Sequence, residues 1–198
     1  MKKKGAFICI EGLDASGKTT QARRLVRELK RRSFKAVYTT EPSPGEIGEF
    51  IRTYVLQRKK RVPIAVEALL FAVDRVDHLE RKVKPALQKG KIVVSDRYVY
   101  SSLAYQGAAG LDLNWIEEIN RSLVTPDLAI YIDVPPEVVL NRIKRKRSVM
   151  ERLLIQRKVM KIYMKFVEDG QLMRVNGNRS KDEVAKDILA TVLSFLKN

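Results

Sequence analysis

Five short runs rich in apolar and β-branched residues punctuate the chain, at Phe7 to Ile10, Ala36 to Thr40, Ile92 to Ser95, Leu128 to Asp133 and Leu172 to Val175. They read as strands, and the longer stretches between them carry helical patterning. Strands alternating with helical crossovers predict an α/β fold, a five-stranded parallel sheet with helices on both faces. Pro63 suits a first helical turn, where its missing N–H has no partner anyway; an apolar-rich stretch then runs towards Leu87, and Gly90 ends it. Ser180 and Glu183 stand at capping-box spacing ahead of a helix that buries Val184, Ile188, Val192 and Phe195. No internal repeat and no low-complexity linker interrupts this alternation.

Composition narrows the picture. At 198 residues the chain fits one domain, spanning 1–198, with room for an insert. Hydrophobic residues at 45% are too many for wholesale disorder. The net charge of +16 attracts phosphate-rich partners, nucleotides and nucleic acids alike. Cys9 is the lone cysteine, so no disulfide forms within the chain. The opening apolar run is too short for an export signal or a membrane span. A cytoplasmic protein that does not enter membranes is expected.

The strongest local signal is Gly12-Leu13-Asp14-Ala15-Ser16-Gly17-Lys18-Thr19, a complete GxxxxGK[ST] pattern between an apolar strand and a helical stretch opening near Lys18. Gly12 and Gly17 let the backbone turn tightly, so that successive N–H groups and the helix N-terminus face an anion. In this pattern Lys18 reaches the β and γ phosphates and the Thr19 hydroxyl coordinates Mg²⁺; Thr20 completes the ATP-binding set. Switch GTPases, motor ATPases, nucleic-acid enzymes and small kinases share such a cradle. The chain has no NKxD-type guanine-reading tetrapeptide and little length for helicase domains, which favours a small kinase.

Ser95-Asp96-Arg97-Tyr98 follows the third strand, at the strand end where open α/β sheets bind ligands. Asp96 can hold Mg²⁺ through water or accept a hydroxyl proton, and Arg97 offers a two-pronged fork to a phosphate monoester. The plainer alternative is an Asp–Arg pair that stabilises a helix start.

With EGLDASGKTTQ at 11–21, TTEP at 39–42, EIGEFIR at 46–52, LLFAVDRVDH at 69–78, SDRYVYSSLAYQG at 95–107 and PDLAIYIDV at 126–134, the chain resembles the thymidylate kinases over nearly its whole length. The resemblance implies a P-loop kinase fold with a helical lid at approximately 142–155, transfer of the γ-phosphoryl group of MgATP to dTMP, and a homodimer. By the same resemblance Asp14 contacts the deoxyribose 3′-hydroxyl, Phe71 stacks on thymine and Arg75 bonds the base or a nearby phosphate. Arg97, with Tyr98 beside it, grips the dTMP phosphate. Tyr105 stands against the sugar's 2′ position, Gln106 or Ser102 faces the base, and Arg142 packs on adenine. Without the resemblance Phe71 reads as core, and His78, one turn beyond Asp74, reads as its partner in a solvated pair.

From Arg142 to Arg147 the chain reads Arg-Ile-Lys-Arg-Lys-Arg, with Glu151 and Arg152 beyond. A closing cationic side chain contributes on the order of 10³ to 10⁵ in rate to phosphoryl transfer. The family carries its catalytic arginine in the cradle or in the lid; here the cradle position is Ala15, so the lid supplies it. Arg145, Arg147 and Arg152 are the candidates, with Lys146 a further one, while a solvated basic face is the bland alternative. Two features depart from the family pattern: Glu151-Arg152-Leu153-Leu154 lacks a second carboxylate, and Ser43-Pro44-Gly45 replaces a Gly-Gly-Thr turn. Two rivals share these observations. One is a kinase for another nucleoside or nucleoside monophosphate; the other is a nucleic-acid-binding ATPase, which fits the charge but has no recognised RNA or DNA module in the sequence.

Overall fold

The computed structural model describes residues 5–57, 62–142 and 149–197, and in the last stretch it describes side chains from Leu153 onward. The chain forms β1 (Ala6–Gly12), α1 (Lys18–Arg31), β2 (Ala36–Thr40), α2 (Glu46–Phe50), α3 (Ile64–His78), α4 (Lys84–Gln88), β3 (Ile92–Asp96) and α5 (Val99–Ala108). It continues with α6 (Leu113–Ile119), β4 (Leu128–Asp133), α7 (Pro136–Arg142), α8 (Val149–Glu168), β5 (Met173–Asn176) and α9 (Lys181–Phe195). All strand pairings are parallel, in the order β2-β3-β1-β4-β5.

Helices cover both faces of this sheet, so β1, at its centre, is buried along its whole length. The ladder reaches past the apolar runs. Ile10 pairs with Asp96 and Gly12 with Ile132, so β1 extends through Glu11 to Gly12 and β3 through Asp96. Strand β5 lies one residue later than its apolar pattern indicates, at Met173–Asn176.

The stretch from Pro63 towards Leu87 is also not one regular helix. Pro63 caps α3 from just outside its first turn. The coil then widens to π-type turns over Leu79–Val83 before α4. Pro85 supplies no N–H for the carbonyl of Arg81, and a wider turn bypasses that missing bond. The capping box is present as expected: Ser180 Oγ accepts from Glu183 N, and the Glu183 carboxylate accepts from Ser180 N. Val184, Ile188 and Val192 of α9 are buried, and Phe195 is half-buried.

Strand order reverses about β1: β3 and β2 lie on one side, β4 and β5 on the other. Crossovers therefore diverge at its carboxyl end, opening the crevice in which such sheets bind ligands. The loop from Gly12 to Gly17 and the Asp96-Arg97 pair both sit at that edge.

Candidate active site

The loop after β1 depends on unusual backbone at two glycines. Gly17, the N-cap of α1, is left-handed at φ 103°. Gly12 lies at φ 152°, where a Cβ would stand 2.7 Å from Ser16 Oγ and 2.9 Å from the Ile132 carbonyl. Ala15 is also left-handed, at φ 62°. Lys18 leaves α1 and folds back so that Nζ donates to the Leu13 carbonyl at 2.6 Å. Burial, with the positive charge of Arg97 adding to it, pushes the Lys18 ammonium down to about 7.

Residues Ala15 to Gln21, Arg142 and the Gly177 to Lys181 turn line a cavity of about 590 Å³. Helix α1 brings that turn close: Gln21 Nε2 and Arg24 Nη1 donate to the Lys181 carbonyl at 3.0 and 2.9 Å. Arg142 Nη1 donates to the Ala15 carbonyl at 3.2 Å, so its guanidinium closes one wall. Ser16, Thr19 and Thr20 face this donor cavity, whereas the Leu13 side chain is in the core.

On the other side of the loop, Arg97 adopts φ 76°, a left-handed conformation that is costly for any side chain with a Cβ and persists only where surroundings enforce it. Arg97 N donates to the Ile10 carbonyl at 3.0 Å, and Ser95 Oγ donates to the Arg97 carbonyl at 2.7 Å. Its guanidinium donates to Ser101 Oγ at 2.8 Å, pairs with the Asp14 carboxylate, and lies 5.1 Å from the Tyr105 ring centre. Tyr105 Oη accepts from Asp14 N at 2.9 Å. Burial raises the Asp14 carboxyl, but the charges of Arg97 and Lys18 more than offset it, and the net shift is downward.

Beneath this pair lies Glu11, fully buried. It accepts from Tyr98 N at 2.7 Å, Ser101 Oγ at 2.6 Å and Tyr163 Oη at 2.9 Å. Burial pushes its carboxyl up, against the pull of these donors and of Arg97.

A second cavity, of about 250 Å³, opens between α3 and α5. Phe71 is half-buried on its wall, and Pro42, which follows a cis peptide bond, lies on the same wall. Arg75 is buried: Nε donates to Glu41 at 2.6 Å, Nη1 to Asn120 at 2.7 Å and Nη2 to Ser102 at 2.9 Å. A guanidinium has five donors, so these three bonds fix its plane without exhausting it. Tyr98 lends its ring to the cavity, but its hydroxyl is turned away and donates to the Val124 carbonyl at 2.8 Å. Gln106 Nε2 donates to Glu67 at 3.1 Å.

Thr19 Oγ1 donates to Asp96 Oδ2, joining the two expected metal ligands. Asp96 Oδ1 is buried and has no hydrogen-bond partner among the described residues. An orphaned carboxylate oxygen next to a hydroxyl suits a hard cation such as Mg²⁺, which keeps several waters and takes its other oxygens from phosphates. No cluster of three or more His, Cys, Asp or Glu occurs among the described residues, so a site made of protein ligands alone is not offered there.

One expectation is overturned. His78 is buried rather than solvated, and it bonds Thr39 Oγ1 and Glu41 instead of Asp74. The Asp74 carboxylate accepts from Ser43 N at 2.7 Å and Ser43 Oγ at 2.6 Å. Trp115 is half-buried against the core, on a helix capped by Asp112. Among the lid candidates, Arg145, Lys146 and Arg147 lie outside the described residues, as does the side chain of Arg152. Sequence reasoning passed over Glu11, Ser101, Glu41, Glu67 and Asn120, which hold the named residues in place, and Arg179 in the donor cavity. Only the EGL and TTEP segments hinted at Glu11 and Glu41.

Consecutive residues separate the two cavities: Asp14 lines one and Ala15 the other. Two cavities on either side of a single P-loop, one lined by Lys18 and the other by Arg97, suit a phosphotransferase of the P-loop kinase class. Comparison with known proteins agrees. The family model for thymidylate kinase matches residues 10–188. Two proteins named probable thymidylate kinase, from Pyrococcus horikoshii and Pyrococcus abyssi, are 42% and 44% identical, each match covering 96% of both chains. A third of that name, from Pyrobaculum aerophilum, is 40% identical over 92% of this chain and 94% of its own. The chain belongs to the thymidylate kinase family, and it is a nucleoside monophosphate kinase.

Proposed function

We propose that this site transfers the γ-phosphoryl group of MgATP to dTMP, giving dTDP and ADP. The observation that supports this reading is the pair of cavities lined on either side of the Asp14–Ala15 step of the loop, an arrangement that suits a triphosphate end to end with an acceptor phosphate. An oxygen of the dTMP phosphate attacks the γ-phosphorus as its bond to the β–γ bridging oxygen breaks, and the bridging oxygen leaves with ADP. Catalysis is then positional and electrostatic.

In this reading the loop N–H groups and Lys18 neutralise the donor phosphates, and Arg142 packs on adenine. Arg97, held by Ser101 and Asp14, presents its fork to the acceptor phosphate, and the Asp14 carboxylate meets the 3′-hydroxyl. Phe71 stacks on the base, Arg75, Ser102 or Gln106 bonds its edge, and the Tyr105 ring blocks the 2′ position. Thr19 and Asp96 hold Mg²⁺, which supplies charge neutralisation on the phosphates. A lid at approximately 142–155 brings Arg145, Arg147 or Arg152 over the transferring group, all within one kinase domain.

We also infer a homodimer. Val66, Leu69, Val73 and Val76 form an exposed apolar stripe along α3, at the spacing of one helix face. Light scattering during size exclusion tests it: a monomer at micromolar concentration overturns it. A cytoplasmic location fits the ATP donor and the buried free thiol of Cys9.

A coupled assay with MgATP and each of dTMP, dUMP, dCMP, dGMP and AMP tests the substrate. We expect dTMP to be turned over fastest. Faster turnover of AMP or dGMP, or oligonucleotide-stimulated ATP hydrolysis without monophosphate transfer, overturns the reading.

A further inference from the structure

We propose that Glu67 is a positioning residue for base choice: it fixes which end of the Gln106 amide faces the acceptor cavity, and so selects a base with a ring N–H over one with a ring lone pair. This rests on the preceding reading that the acceptor base occupies that cavity. Gln106 and Glu67 are both buried and both line it. The amide Nε2 donates to Glu67 Oε1 at 3.1 Å, and Gln106 Oε1 is buried with no protein partner among the described residues.

The chemistry of the pair decides the orientation. An amide can present either an NH₂ group or a carbonyl oxygen, and turning it over exchanges a donor for an acceptor at nearly constant shape. An ionised carboxylate only accepts, so Glu67 binds the NH₂ end, and the carbonyl end is the one left without a protein partner. That oxygen is a matched acceptor for the N3–H of thymine or uracil. Cytosine has a lone pair at N3 and meets it oxygen to nitrogen with no proton between. Arg75 stands on the same wall as a pure donor, which matches the O4 carbonyl of thymine and opposes the 4-amino group of cytosine. Together, an acceptor fixed by Glu67 and a donor from Arg75 form the complement of an imide edge. Since a buried polar group left unpaired is costly, such sites discriminate more strongly than apolar pockets do.

The test is the ratio of kcat/KM for dTMP to that for dCMP in the whole enzyme, measured for wild type, Glu67→Gln, Glu67→Asp and Gln106→Leu. In Glu67→Gln the neighbour can donate or accept, so the Gln106 amide is free to turn. We expect the ratio to fall about tenfold or more, with KM for ATP unchanged. Glu67→Asp keeps an acceptor-only group and is expected to stay nearer wild type; Gln106→Leu removes the acceptor and should also lower the ratio. A purely structural role would depress both substrates together and leave the ratio unmoved. A ratio within about twofold of wild type in Glu67→Gln overturns the proposal, and if that variant does not fold, an unchanged ratio in Gln106→Leu does so. Failure of the wild type to phosphorylate dTMP is a different result: it removes the underlying reading as well.

Discussion

Asp14 and Arg97 form an ion pair across the carboxyl edge of the sheet, between the loop after β1 and the turn after β3. Arg97 enters it from a left-handed backbone, and its second prong is held by Ser101. The guanidinium is thus aimed before any ligand arrives. Preorganisation of this kind removes the ordering cost from the binding step.

Arg97→Lys keeps the charge and loses the fork. One charge-assisted hydrogen bond contributes about 1.5–3 kcal/mol, so KM for dTMP should rise by roughly tenfold or more, while KM for ATP stays within about twofold. Steady-state kinetics with each substrate varied checks this. An equal rise for both substrates means that the loop has collapsed.

Phe71→Ala removes a half-buried ring on the wall of the acceptor cavity. Stacking on a base is worth about 1–3 kcal/mol, and dTMP affinity should fall by that amount in calorimetric titration. ATP affinity should barely change. Equal losses for both ligands assign Phe71 to the core instead.

Glu11→Ala leaves three buried donors, Tyr98 N, Ser101 Oγ and Tyr163 Oη, without their common acceptor. Each unsatisfied group costs about 1–3 kcal/mol. Urea melts should show a loss of roughly 3 kcal/mol or more, and a loss below about 1 kcal/mol contradicts the network.

Lys18 has its folded-state pKa depressed, to about 7 by burial and by Arg97, from an ordinary value of 10.5. Between these values the unfolded chain binds the proton that the folded chain has released, so stability rises with pH across that window. The penalty is complete below about 7 and vanishes above about 10.5. Ligand-free wild type should therefore gain stability relative to Lys18→Met between pH 7 and pH 10, as read by urea melts. A gap that stays constant with pH contradicts the depressed value.

The loop was legible because its chemistry is contiguous: glycines, lysine and threonine stand at fixed offsets, and a flanking strand and helix confirm them. Asp96 and Arg97 were legible because one ends a strand and the other follows it. What escaped were partners brought together by folding alone. Glu67 meets Gln106, and Glu11 meets Ser101, across dozens of residues with no local pattern to mark them. The Asp74–His78 spacing shows the converse failure. A one-turn separation permits a pair, but α3 packs its inner face against Thr39, Glu41 and Ser43, and those tertiary acceptors and donors captured both side chains. The wide turn before α4 was missed because Pro85 acts four residues upstream of itself.

A crystal structure with dTMP and a non-hydrolysable ATP analogue bound together tests the two-cavity arrangement most directly. The thymine ring is expected against Phe71 and Gln106, the monophosphate on Arg97, and the triphosphate along Ala15 to Thr20. A dTMP molecule seated away from Arg97, with the cavity between α3 and α5 empty, contradicts it.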